Sequence, residues 1–115
     1  MPEGRGTRMY LQDILDSMDA IESYVSGMSY EDFKNDRRTY DAVVRNLEIM
    51  GEAVKNLPDD LRDEHDDVPW HRVTGMRDKV IHAYHGVSHE IIWTTIRTNF
   101  PGFRTSIEGI LAELE

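Results

Sequence analysis

The sequence predicts an all-α fold: an up-and-down bundle of four to five helices built as one domain over residues 1–115. Three observations lead there. Apolar residues recur at three- and four-residue steps in every long segment, the period of a helix with one buried face. No segment alternates apolar and polar residues between hairpin turns, as a half-buried strand would. Glycine, proline and capping residues punctuate the chain at helical lengths. A chain of 115 residues buries about 65% of its unfolded surface when it folds alone, enough for one core and not two.

The first helix is expected from about Thr7 to Ser26, with Leu11, Ile14, Leu15, Met18, Ile21 and Val25 as its stripe and Gly27 as its terminator. A short piece follows from Ser29 to Lys34, with Ser29 as its N-cap. Asp36 caps a long helix that turns Tyr40, Val43, Val44, Leu47, Met50 and Val54 inward and stops before Pro58. The acidic stretch from Pro58 to Pro69 holds one short helical turn and a loop. A third long helix runs from about Trp70 to Tyr84, with Val73, Met76, Val80, Ala83 and Val87 in register. Ser88 caps the last segment, where Trp93, Ile96, Phe100, Phe103, Ile107, Ile110 and Leu114 step by three and four. Pro101-Gly102 falls inside that pattern and should kink or split the helix.

Composition narrows the chemistry. The chain has no cysteine, which excludes disulfides, thiol nucleophiles and Cys-ligated metal centres. No apolar run reaches the length of a membrane span and the N-terminus has no apolar signal region, so a cytoplasmic protein is expected. A net charge of −9 argues mildly against nucleic acid, whose phosphates need clustered Lys and Arg. The distribution qualifies that sum. Six acids and one Arg lie between Asp59 and Asp67, whereas Trp70 to Arg104 carries five basic residues against Asp78 and Glu90, plus four histidines. Arg outnumbers Lys ten to three, which favours bidentate phosphate contacts.

The densest polar cluster is Arg77-Asp78-Lys79-Val80-Ile81-His82-Ala83-Tyr84-His85-Gly86. On a helix that continued far enough, Asp78, His82, His85 and His89 would share a face opposite Val73, Met76 and Val80. Asp78 and His82, four apart, are placed to hydrogen-bond, and a carboxylate on one ring nitrogen raises the basicity of the other. That is the arrangement of a general base. With an Arg for a phosphate oxygen and a Tyr hydroxyl, it makes the minimum set for metal-free RNA cleavage through the 2′-hydroxyl. On a straight helix Arg77 and His82 point about 140° apart, so they converge only at a helix end or when a symmetric partner closes the cleft. A homodimer is expected on that ground, and because Trp70, Tyr84 and the three histidines are more than a small bundle leaves at its surface. The same residues also read as a solvated polar face. A rival metal site would use His85 and His89, but Gly86 and Ser88 interrupt the helix between them. Asp13, Asp16, Asp19 and Glu22 step along the outer side of the first helix without Glu-x-x-His partners and read as solvated.

These residues resemble the HepT-like family of HEPN domains, the toxin halves of HEPN/minimal-nucleotidyltransferase toxin–antitoxin pairs. The family motif R-x-x-x-x-H-x-Y is met by Arg77, His82 and Tyr84, and the aromatic-to-GEA helix by Tyr40 through Gly51-Glu52-Ala53. Pro69-Trp70, Met76-Arg77-Asp78, and Tyr84-His85-Gly86-Val87 followed by Trp93 extend the likeness from about Tyr10 to Leu114. The resemblance implies a HEPN-type dimer with the two motifs facing a shared cleft. It implies a metal-independent ribonuclease that needs no cofactor, tRNA being a substrate of some members. Arg77 and His82 take the catalytic places, with Asp78 supporting. Tyr84 takes the place to which a cognate nucleotidyltransferase antitoxin transfers AMP. The residue after the motif Arg is often Asn in the family; Asp78 adds a negative charge where a phosphate must sit. The alternative is a non-catalytic HEPN module that carries a nucleotidyltransferase or binds nucleotide.

Overall fold

Helix α1 (Glu3–Val25) forms on an unbroken apolar stripe, and Leu11, Ile14, Leu15, Met18, Ile21 and Val25 are all buried. Gly27 ends it with a φ of 78°, a left-handed conformation that glycine adopts without steric cost. The computed structural model describes residues 3–82 and 88–114, with side chains from residue 6 onward. Helix α2 (Tyr30–Lys34) opens on a reciprocal cap: Ser29 Oγ accepts from the Asp32 N–H, and Asp32 accepts from the Ser29 N–H, both at 3.1 Å. Its Phe33 is fully buried.

Helix α3 (Arg37–Lys55) starts at Asp36, whose carboxylate accepts from the Thr39 N–H at 3.0 Å. That bond is the main reason the Asp36 carboxyl lies below its ordinary value. Val43, Leu47, Met50 and Val54 are buried, while Tyr40 and Val44 are half-buried. Helix α3 is the hub, packed against both α1 and α5 (Trp70–His82). The acidic stretch folds as α4 (Asp59–Glu64).

Beyond the motif segment come α6 (His89–Thr94), a π-helical turn (Thr95–Asn99) and α7 (Phe100–Glu113). Ser88 caps α6 through the Ile91 N–H. The expected disturbance at Pro101 takes the form of that π turn. Proline has no N–H to give to the carbonyl four residues back, and the preceding turn widens so that the Phe100 N–H reaches Thr95 O. Helix α7 returns to α1, where Arg104 pairs with Asp19 at 2.8 Å and with Glu22. Part of the acidic face of α1 is therefore a tie to α7, not a wholly solvated surface.

The described residues are all-α, with four long helices joined by three short ones and no strand among them. None of these helices is long and apolar enough to cross a membrane. Two further expectations are corrected. Trp70 is not a surface residue: it is buried, its Nε1 donates to His65 O at 3.0 Å, and its ring meets Phe103 edge-on at 6.1 Å. His89 does not continue the face of Asp78 and His82. It begins α6, and its ring packs on Tyr40 at 4.4 Å and against the edge of Phe33 at 6.0 Å.

Candidate active site

The centre of the site is the crossing of α3 and α5. Glycine inside a helix costs stability relative to alanine, and Gly51 sits in α3 because Arg77 leaves no room for more. A Cβ at Gly51 would stand 2.1 Å from the Cβ and 2.6 Å from the Cγ of Arg77. The Arg77 stem lies flat against the α3 backbone, leaving the side chain 22% exposed. Its guanidinium emerges between two carboxylates, Glu52 of α3 at 3.5 Å and its neighbour Asp78 at 3.0 Å. The Nε of Arg77 is buried and makes no hydrogen bond among the described residues.

Asp78 does not turn to His82. Its Oδ1 accepts from Lys55 Nζ at 2.9 Å and from Arg77 Nη1 at 3.0 Å. The bond from Lys55, and after it the one from Arg77, holds the Asp78 carboxyl below its ordinary value. His82 is exposed at the last described position of α5, on the flank of the helix away from the α3 contact. Tyr84 and His85 lie outside the described residues. Beside Arg77 a cleft of about 320 Å³ opens between α1, α3 and α5, lined by Tyr10, Arg45, Glu48, Glu52 and Ile81 among others.

Chemically, this is a guanidinium fixed by its stem and flanked by two separate carboxylates, a group whose N–H donors are also able to bind phosphate oxygens. Five residues further on, the exposed imidazole of His82 stands at the last described position of α5. Lys55 and Glu52 complete the charge network from α3. Sequence reasoning did not assign either a role, although Lys55 is four residues beyond Gly51 and so on the same face of α3. No group of three or more metal-ligating side chains forms among the described residues.

Residues 14–110 match the family "Ribonuclease HepT-like". The chain belongs to the HepT-like ribonuclease family. It is 47% identical over 104 residues to the Caldanaerobacter subterraneus protein named "Putative RNase TTE0752", covering 90% of this chain and 93% of that protein. It is 40% identical over 106 residues to "Probable ribonuclease HepT" of Thermococcus cleftensis, covering 92% and 96%. To "Putative RNase MJ0127" of Methanocaldococcus jannaschii it is 40% identical over 115 residues, covering 100% and 94%. No solved structure matches.

Proposed function

We propose that this HepT-like protein is a toxin endoribonuclease that cleaves RNA without a metal ion, with Arg77 and His82 as its catalytic residues. The observation that carries the reading is the seating of Arg77. Its stem is set against Gly51, and its guanidinium faces outward, held by carboxylate oxygens where a phosphodiester's oxygens would bind. His82 takes the proton of a 2′-hydroxyl, the 2′-oxygen attacks phosphorus, and the bond to the 5′-oxygen breaks. The departing oxygen takes a proton from solvent, and Arg77 stabilises the charge on the phosphoryl oxygens.

Arg77 and His82 leave α5 on different sides, so two copies facing one another across a shared cleft complete the site. The cognate minimal nucleotidyltransferase silences the toxin by transferring AMP to Tyr84. The added phosphodiester pairs with Arg77 in place of the substrate's, and the adenosine fills the cleft.

The test is incubation of the purified protein with total tRNA in EDTA, alongside the Arg77→Ala and His82→Ala variants. Wild type should cut, and each variant should lose about 10²–10⁴ in rate while keeping its helical circular dichroism. Cleavage that stops in EDTA and returns with zinc or manganese contradicts the reading. So does a monomer in sedimentation at micromolar concentration. Co-expression with the nucleotidyltransferase should add AMP to the Tyr84 peptide and not to the Tyr84→Phe protein.

A further inference from the structure

On the flank of α5 opposite the Arg77 cleft, a second groove of about 280 Å³ lies between α3, α5 and the π-helical turn. Its floor is apolar, made by the buried side chains of Leu47, Met50, Phe100 and Phe103. Its rim is cationic: Arg72 and Lys79, both exposed, border it along α5. Neither has a carboxylate within 4.0 Å among the described residues, in a chain whose net charge is −9. Arg77, Lys55, Arg62 and Arg104 are all paired with acids. At the far wall, the Asn99 side chain has no hydrogen bond among the described residues, although Asn is a donor and an acceptor. It ends the π turn, a feature that recurs at functional sites.

An apolar slot, two unpaired cations and one unpaired amide match a planar apolar ring carrying an anion. The volume suits a single base, being just below the usual range of drug-sized small-molecule pockets. The rim also leads to the chemistry, since Lys79 stands three residues before His82, about 4.5 Å along the helix axis. A second copy docked with its own groove here would set two like-charged rims together.

We propose that this groove is a nucleobase subsite. It takes one unstacked base of the RNA strand flanking the scissile phosphate, with Arg72 and Lys79 on the adjoining phosphates and Asn99 on the base edge. The inference rests on the ribonuclease reading and adds where the substrate strand is held.

Gly75 supplies a clean test. It lines the groove, and a Cβ there meets no atom within 4 Å, so Gly75→Leu should fill the slot without disturbing the fold. The probe is a fluorescent single-stranded RNA 12-mer, 2′-O-methylated to prevent cleavage, together with a set each lacking one base. With wild type, loss of one particular base should weaken binding about tenfold, the scale of one stacked base. In Gly75→Leu that penalty should vanish, and Arg72→Ala/Lys79→Ala should weaken every probe tenfold or more. Arg37→Ala/Arg38→Ala, which removes two charges elsewhere, should stay within about twofold.

A base penalty unchanged in Gly75→Leu, or no penalty at any position, overturns the subsite while leaving Arg77- and His82-dependent cleavage standing. If Gly75→Leu instead shifts the sedimentation of the protein and leaves RNA affinity unchanged, the groove receives a second copy, and the proposal is wrong. If wild type neither binds nor cuts RNA, the ribonuclease reading and the subsite both fall.

Discussion

Asp78 carries a charge that the site must manage. If Arg77 binds the substrate's phosphate as proposed, the carboxylate beside it is a competitor, and Lys55 shares that carboxylate by donating to the same oxygen. Asp78 therefore titrates below its ordinary 3.8, and the Lys55 link is present above that value and lost only as pH falls through the lower one. Lys55→Ala should raise the Asp78 midpoint, read by carboxyl carbon-13 NMR, and should raise KM for RNA; Lys55→Ala/Asp78→Asn should recover the lost KM. An unmoved midpoint would mean that Lys55 is a bystander. Gly51 makes a second claim at this scale. Gly51→Ala should destabilise the protein by about 1–3 kcal/mol in urea unfolding, because the α3–α5 crossing must open to admit the Cβ. The Arg77, His82 and Tyr84 motif can be read from sequence because it lies within one short segment. The Lys55 link cannot, because its partner is 23 residues away on another helix and nothing in the local sequence fixes the register between the two.

At the scale of the element, caps were the most legible features. Ser29, Asp36 and Ser88 all cap as their side-chain chemistry requires. Ser29→Ala should cost about 1 kcal/mol in urea unfolding, since it breaks the reciprocal bond with Asp32; no change would show that Phe33 burial alone holds α2 in place. Trp70, counted from the sequence among surface residues that a dimer would cover, is covered within the chain itself. Burial came from Phe103, more than thirty residues later, and from the His65 carbonyl that takes its N–H. The π turn was half legible: Pro101 announces a break, but only packing against α1 and the rest of the core decides between a kink and a widened turn.

For the whole molecule, periodicity was enough for the all-α architecture, because each long helix carries a continuous apolar stripe. The hub position of α3 was not legible, since it depends on which stripes face each other. Net charge misleads at this scale as well. Some acids are tied to cations, as Asp19 and Glu22 are to Arg104, and others lie on α4, while Arg72 and Lys79 on the motif helix have no carboxylate partner among the described residues. An acidic chain can in this way present a local cationic rim. The central claim is that a 2′-hydroxyl, activated by His82 and stabilised through Arg77, is the nucleophile. The most direct measurement is the chemistry of the RNA ends produced in EDTA, with a matched substrate carrying 2′-deoxyribose at the cleaved position. The account predicts 2′,3′-cyclic phosphate and 5′-hydroxyl ends and no cutting of the deoxy substrate; 3′-hydroxyl and 5′-phosphate ends, or cleavage of the deoxy substrate, would contradict it.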